Sequence, residues 1–154
     1  MEIERKFTIK KLPENLEQYP SRLIEQGYLN TDPVVRVRRV EQDEKEYYLT
    51  YKGKGLMARE EYNLPLTEEA YLHLIRKADG RIITKRRYLL PCGPYTIELD
   101  VFLNDLAPLV IAEVEFPSLE AAQNFLPPDW FQEDVTMDPA YHNSRLSLSG
   151  GPGC

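Results

Sequence analysis

The chain has 154 residues and a net charge of −6, with 42% hydrophobic and 29% charged residues, which is typical of one soluble domain. No apolar run reaches the ~20 residues of a membrane helix, and charges from residue 2 onward exclude a signal peptide, so a cytoplasmic location without membrane association is expected. The acidic balance disfavours a general nucleic-acid binder but leaves room for a local cationic site. Cys92 and Cys154 have neither disulfide nor metal-ligand spacing.

The first half of the chain reads as strands with one helix. Alternating residues predict a strand over 1–10. Apolar residues at helical spacing then predict a helix over 16–26, which Gly27 would end. Runs of β-type residues at 34–40 and 46–52 flank a polar turn and predict a hairpin.

The second half alternates short strands and helices. Thr67 and Ser118 are candidate N-caps, and Gly80 is a candidate C-terminal stop for the first helix. The predicted elements are strands at 59–66, 81–90, 94–102 and 109–116, and helices at 68–79, 119–126 and 139–148. No repeat or linker divides the chain, so one domain is expected over 1–148, followed by a disordered tail over 149–154.

Charges recur on one face of nearly every predicted strand. Because alternate residues of a strand share a face, Arg36 and Arg38 lie opposite Val35 and Val37. The same separation holds in the other strands. The acidic residues of these faces are Glu2, Glu4, Glu61, Glu98, Asp100, Glu113 and Glu115, and the basic ones are Lys6, Arg36, Arg38, Lys52, Lys85 and Arg87.

Solvated surface explains any one such face but explains the whole set less well. Like charges repel by about 4 kcal/mol at about 4 Å and an effective dielectric near 20. An antiparallel sheet closed into a barrel, with charges inside and aliphatic side chains outside, satisfies the pattern. The cations suit a polyphosphate, and the carboxylates suit Mg²⁺ or Mn²⁺ bound together with its oxygens.

The opening EIERK resembles the ExExK signature of the CYTH superfamily, the triphosphate tunnel metalloenzymes. Further segments follow in the family's order along nearly the whole chain: VRVR, LTYK, REEY, TKRRY, IELDVF, AEVEF and a final Tyr141-x-Asn143. ExExK alone is a weak motif, whereas the succession is specific. The likeness is strongest to the small, single-domain bacterial members.

The resemblance implies an α+β, mainly antiparallel fold, a closed eight-stranded β-barrel with helices packed outside, that hydrolyses a triphosphate with Mg²⁺ or Mn²⁺. The implied metal ligands are Glu2, Glu4, Glu61, Asp100, Glu113 and Glu115, with Glu98 as a companion to this set. The implied substrate-binding residues are Lys6, Arg36, Arg38, Lys52, Lys85 and Arg87. The implied catalytic residues are Glu2, Glu4, Lys6, Glu61 and Lys85. Family analogy alone suggests a homodimer.

The sequence departs from the family pattern at two places. Asn63 stands where small bacterial members often have an acidic residue, and His142, Ser144 and Arg145 surround Asn143 where they often have a lysine. Metal stoichiometry and contacts at that end of the site are therefore left open.

The leading interpretation is an inorganic tripolyphosphatase, with nucleoside triphosphates as further substrates. A class IV-type adenylyl cyclase and a thiamine triphosphatase are alternatives within the family. A non-catalytic polyphosphate or nucleotide binder has little use for so many carboxylates. An OB-like single-strand binder should show a more basic groove.

Overall fold

The computed structural model describes residues 1–149, which form ten antiparallel strands and three α-helices. The strands are β1 (Glu2–Ile9), β2 (Ser21–Thr31), β3 (Val34–Glu41), β4 (Lys45–Lys52), β5 (Ala58–Arg59), β6 (Glu61–Pro65), β7 (Asp79–Cys92), β8 (Tyr95–Phe102), β9 (Val110–Glu115) and β10 (Phe131–Asp134). The helices are α1 (Glu68–Ile75), α2 (Leu119–Asn124) and α3 (Asn143–Ser149). Of the predicted tail, Ser149 ends α3, and 150–154 lie outside the described residues.

All ten strands of the described chain belong to one sheet, in the order β10-β1-β9-β8-β7-β2-β3-β4-β6, with β5 pairing β1. A single residue, Glu60, separates β5, which pairs with β1 near one edge of the sheet, from β6, which forms the other edge. The sheet thereby curves into a nearly closed barrel. The expected antiparallel barrel is confirmed in eight longer strands, and the short β5 and β10 add to it.

The helix predicted over 16–26 is wrong. Leu16–Gln18 form one 3₁₀ turn, and Ser21–Thr31 form β2, which pairs with β3 and β7 along both edges. Pro20 cannot donate a hydrogen bond inside a helix, and pairing on two sides satisfies the backbone of β2 instead. Gly27 is a packing position rather than a helix stop, because an added Cβ would lie 2.7 Å from the Cβ of Ala78.

The other helices begin where the caps predict. The Thr67 hydroxyl accepts a hydrogen bond from the Ala70 N–H at 3.1 Å, and the Ser118 hydroxyl accepts one from Ala121 at 3.0 Å. α1 and α2 each end earlier than expected, and the last predicted helix divides into the 3₁₀ turn Pro139–Tyr141 and α3. No helix within residues 1–149 has the length and apolarity to cross a membrane.

Two apolar clusters flank the barrel wall. One includes Phe7, Leu99 and Val114 and packs under α2. The other fills one end of the barrel interior, because Ile83 and Phe102 share strand faces with Lys85 and Asp100, and Leu146 of α3 packs against them. The interior is therefore polar over part of its length and apolar beside α3.

Candidate active site

The inner faces of the strands meet in one cavity of about 190 Å³ with an almost wholly polar lining. Eleven of the twelve predicted site residues line it: Glu2, Glu4, Lys6, Arg36, Arg38, Lys52, Glu61, Lys85, Arg87, Glu113 and Glu115. Glu98, the companion of the implied metal ligands, lines it too. Asp100 does not, since it is fully buried behind the cations. The chemical roles of all these residues stay predictions at this point.

Strand register brings the charged residues together. Glu4 lies opposite Glu115 and Lys6 opposite Glu113 across β1 and β9. Lys52 lies opposite Glu61 across β4 and β6. Such cross-strand neighbours have Cβ atoms about 5 Å apart, which places each side chain within reach of its partner.

Lys6 contacts two of the carboxylates that line the cavity. Its Nζ lies 2.6 Å from Oε1 of Glu113 and 3.4 Å from Oε1 of Glu4. Burial acts to lower the pKa of Lys6, but these two carboxylates outweigh it and raise that pKa above its usual value. Burial likewise acts to raise the pKa of Glu113, and Lys6 and Arg87 hold it well below its usual range. Both groups are therefore charged at neutral pH.

Asp100 contacts two of the predicted phosphate-binding residues, Lys85 and Arg87, on the side away from the cavity. Arg87 donates to both of its oxygens, Nε to Oδ1 at 2.7 Å and Nη2 to Oδ2 at 2.9 Å. Lys85 Nζ lies 2.7 Å from Oδ2. Burial, only partly offset by Asp100, lowers the pKa of Lys85 to about 7. Lys85 is the buried cation of this group that can exchange a proton near neutral pH.

Arg36 and Arg38 project side by side from β3. Within residues 1–149, the buried Nε of Arg36 has no hydrogen-bond partner. Burial and the neighbouring Arg36 and Arg87 lower the pKa of Arg38 to about 9. Clustered guanidinium groups with free donors are well suited to bind an anion with several oxygens.

The carboxylates at the other side of the cavity are held unevenly. Glu2 accepts from Lys52 Nζ at 3.0 and 3.1 Å and lies 3.6 Å from Nε of Arg59. Glu61 Oε2 lies 3.4 Å from the same Nζ of Lys52. Glu115 makes no ion pair with any other part of the chain described.

The environment of Glu115 fits a bound cation. Partial burial raises its pKa to about 6, and four nearby carboxylates contribute, those of Glu2, Glu98, Glu4 and Glu61. Oxygen donors of this kind suit hard divalent ions. Among the residues described, however, no three Asp, Glu, His or Cys side chains are already arranged around one metal position, because lysine and arginine hold several of the oxygens.

The sequence-based prediction missed the contribution of β2. Tyr28 lines the cavity, and Gln26 lies buried directly behind it. The alternation of Ile24, Gln26 and Tyr28 was the available signal, since all three are buried at a spacing of two. Arg59 and Asn143 also line the cavity without having been assigned a role.

Several charged residues lie outside the site, as expected for the opposite strand faces. Arg5 pairs with Asp134 at 2.9 Å, and Arg39 lies 3.5 Å from Glu25. Of the residues that depart from the family pattern, Asn63 and Ser144 line the cavity and Arg145 does not. His142 is buried, with Nε2 3.1 Å from the Thr136 carbonyl oxygen.

Comparisons with known proteins show which proteins the chain resembles. The CYTH domain model matches residues 1–137. The chain is 42% identical to the inorganic triphosphatase of Nitrosomonas europaea, over 96% of this chain and 97% of that protein, and 39% identical to the inorganic triphosphatase of Acetivibrio thermocellus, over 94% and 92%. It is also similar to the crystal structure of the inorganic triphosphatase NE1496, with a TM-score of 0.68 and 38% identity over 97% of this chain and 95% of that one.

Proposed function

Because the chain belongs to the CYTH family, we propose that it is a metal-dependent hydrolase that splits inorganic tripolyphosphate into pyrophosphate and orthophosphate. The observation that carries this proposal is the polar cavity in which seven cationic side chains and six glutamates meet. A protein that only bound polyphosphate would need the cations but not the glutamates. The glutamates are explained if the site also binds the metal ions that a hydrolase uses. The names of the two relatives favour inorganic triphosphatase over the cyclase and thiamine triphosphatase alternatives.

The cations hold the substrate. Arg36 and Arg38 present their guanidinium groups from β3, and the surrounding strands present the ammonium groups of Lys6, Lys52 and Lys85 and the guanidinium group of Arg87. Together they offset the charge of a polyanion and align its phosphorus atoms, which is the main contribution a protein makes to phosphoryl transfer.

The glutamates hold the metal. The family is metal-dependent, and we assign Glu2, Glu4, Glu61, Glu113 and Glu115 as residues that would bind Mg²⁺ or Mn²⁺. When bound, such an ion neutralises phosphate oxygens and lowers the pKa of a coordinated water. Asp100, whose two oxygens already accept from Arg87 and contact Lys85, fits a positioning role better than the predicted metal-ligand role.

The reaction itself is balanced by one water. Its oxygen bonds to a terminal phosphorus, the bridging P–O bond breaks, and pyrophosphate leaves, while the proton that the water loses passes to solvent, from which Lys85 regains the proton that it donates. Lys85 is suited to donate a proton to the leaving oxygen, since its pKa of about 7 lets it carry a proton at neutral pH without holding it tightly.

The experiment is orthophosphate release from tripolyphosphate, ATP and thiamine triphosphate, each with Mg²⁺, with Mn²⁺ and with EDTA. Wild type is compared with Glu4→Gln and with the control Glu25→Gln, which alters a glutamate of the outer face that accepts from the Tyr71 hydroxyl at 2.6 Å. We expect rapid, metal-dependent release from tripolyphosphate that Glu4→Gln lowers at least 100-fold and Glu25→Gln leaves nearly unchanged.

Other outcomes redirect the proposal. If no substrate releases phosphate while tripolyphosphate still raises the melting temperature, the protein is a binder. A cyclic nucleotide formed from ATP would make it a cyclase. Faster release from thiamine triphosphate than from tripolyphosphate would overturn the assigned substrate.

A further inference from the structure

Gln26 is a fully buried amide that does not reach the cavity but contacts three residues that line it. Arg38 Nε donates to its Oε1 at 2.7 Å. Its Nε2 donates to the Tyr28 hydroxyl at 3.0 Å and to Oδ1 of Asn143 at 3.3 Å. Both amide hydrogens and the carbonyl oxygen are therefore used.

The direction of these hydrogen bonds is determined by the two cations at their ends. A guanidinium can only donate, so the oxygen of Gln26 must face Arg38. Protonated Lys85, which is also 2.7 Å from Asp100, can likewise only donate, and its Nζ lies 3.0 Å from the same Oδ1 of Asn143, so that oxygen must face Lys85 and Gln26. The amide of Gln26 consequently has one orientation that satisfies all its partners.

The chain of contacts links three separate parts of the fold. Arg38 lies on β3, Lys85 on β7 and Asn143 at the first residue of α3, while Gln26 lies on β2 between the two strands. Without this bridge, the flexible side chain of Arg38 would have no partner of the protein on its Nε. Breaking such a network leaves buried polar groups unsatisfied on both sides.

We propose that Gln26 is a positioning residue that holds Arg38 and, through Asn143, Lys85 in the geometry that binds the triphosphate. The inference rests on the proposed function. It assigns Gln26 no contact with the substrate, so its effect passes through Arg38 and Lys85.

The test is a double-mutant cycle on the full chain, with Gln26→Met, Arg38→Lys and the double variant. Lysine retains the charge of Arg38 but lacks the Nε–H that Gln26 accepts. We expect Gln26→Met to lower kcat/KM for tripolyphosphate about tenfold, mainly by raising KM. In the Arg38→Lys background, Gln26→Met should lower kcat/KM less than threefold, because only the contact between Gln26 and Asn143 is then left to lose. Glu25→Gln, the neighbouring outer-face residue of β2, is the control that should leave both constants unchanged.

Three outcomes would overturn the proposal. One is a loss below twofold in Gln26→Met, and another is an equal loss in both backgrounds, as a general structural defect would give. The milder Gln26→Asn, which retracts the same amide by one methylene, repeats the cycle if Gln26→Met does not fold. If neither variant folds, Gln26 is a structural residue and the positioning role fails.

Failure of the proposed function gives a different result. In that case wild type itself releases no orthophosphate, and the cycle is read from the shift in melting temperature on adding tripolyphosphate with Mg²⁺. The positioning role is supported in binding alone if Gln26→Met shows a smaller shift than wild type while the double variant shows the same shift as Arg38→Lys. An unchanged shift in Gln26→Met overturns it.

Discussion

Lys85 and Asp100 form an ion pair of 2.7 Å in which neither side chain has any exposed surface. Arg87 binds both oxygens of the same carboxylate, so one aspartate holds two cations at the wall of the cavity. Removing one member of such a group leaves buried charge without compensation, at a cost of about 3 kcal/mol or more.

Asp100→Asn should therefore lower both stability and substrate binding without changing the metal requirement. We expect kcat/KM for tripolyphosphate to fall at least tenfold and the melting temperature to fall by several degrees. The concentration of Mg²⁺ that gives half-maximal activity should stay within a factor of two of wild type. A tenfold rise in that concentration would restore Asp100 to the metal ligands predicted from the sequence.

Glu115→Gln should raise the stability of the metal-free protein at neutral pH while weakening its metal-dependent activity. The pKa of Glu115 in the folded protein is about 6, above its value of 4.5 in the absence of neighbours, so the folded state binds more protons than the unfolded state between those pH values. Wild-type stability therefore decreases as the pH rises through this window, and the glutamine variant escapes that loss.

The measurement is the melting temperature in EDTA at pH 4.5 and pH 7. We expect the variant to gain about 2 °C relative to wild type between these values, a modest shift because the Glu115 side chain is only partly buried and solvent screens its charge. With Mg²⁺ at pH 7 the order should reverse, and phosphate release by the variant should require at least tenfold more metal. An unchanged metal requirement would exclude Glu115 from the ligands.

Much of the site was predictable because the charged faces of the strands are local patterns. In β3, for example, the alternation of Arg36 and Arg38 with valines identifies the inner face without any knowledge of neighbours. β2 was missed because its strand state depends on pairing with β3 and β7, which lie at different distances along the chain, while apolar residues around Pro20 imitate helical spacing. Burial of Asp100 also depends on register, since it lies opposite Arg87 across β7 and β8.

Arg36→Lys should weaken substrate binding even though the substitution retains the positive charge. Arg36 is buried, and its Nε has no partner in the described chain, so this donor is available to a phosphate oxygen. Lysine supplies one point charge instead of a planar fork. We expect KM for tripolyphosphate to rise about tenfold with a smaller change in kcat.

Arg39→Lys is the matched control, because Arg39 lies on the opposite face of β3 and is 3.5 Å from Glu25. Its KM should remain within twofold of wild type. Equal effects of the two substitutions would show that the rise in KM is a general consequence of altering β3 and not the loss of a contact between the inner guanidinium group and the substrate.

His142 should make the fold sensitive to acid. The imidazole is buried before α3, with Nε2 3.1 Å from the Thr136 carbonyl oxygen. Burial, together with the nearby charges of Lys6 and Arg59, lowers its pKa below the ordinary value of 6.5. As the pH falls below 6.5, the unfolded chain takes up a proton that the folded protein does not, so stability present above pH 6.5 is lost on acidification.

His142→Gln removes this titration while keeping a side-chain N–H that can donate to Thr136. We expect the melting temperature of the variant, measured against wild type in the same buffers, to be lower at pH 7.5 and to approach or exceed it at pH 5. Orthophosphate release at pH 7.5 should change less than threefold, because His142 does not line the cavity. A constant difference in melting temperature across this range would mean that His142 titrates alike in the folded and unfolded states, contrary to its buried position.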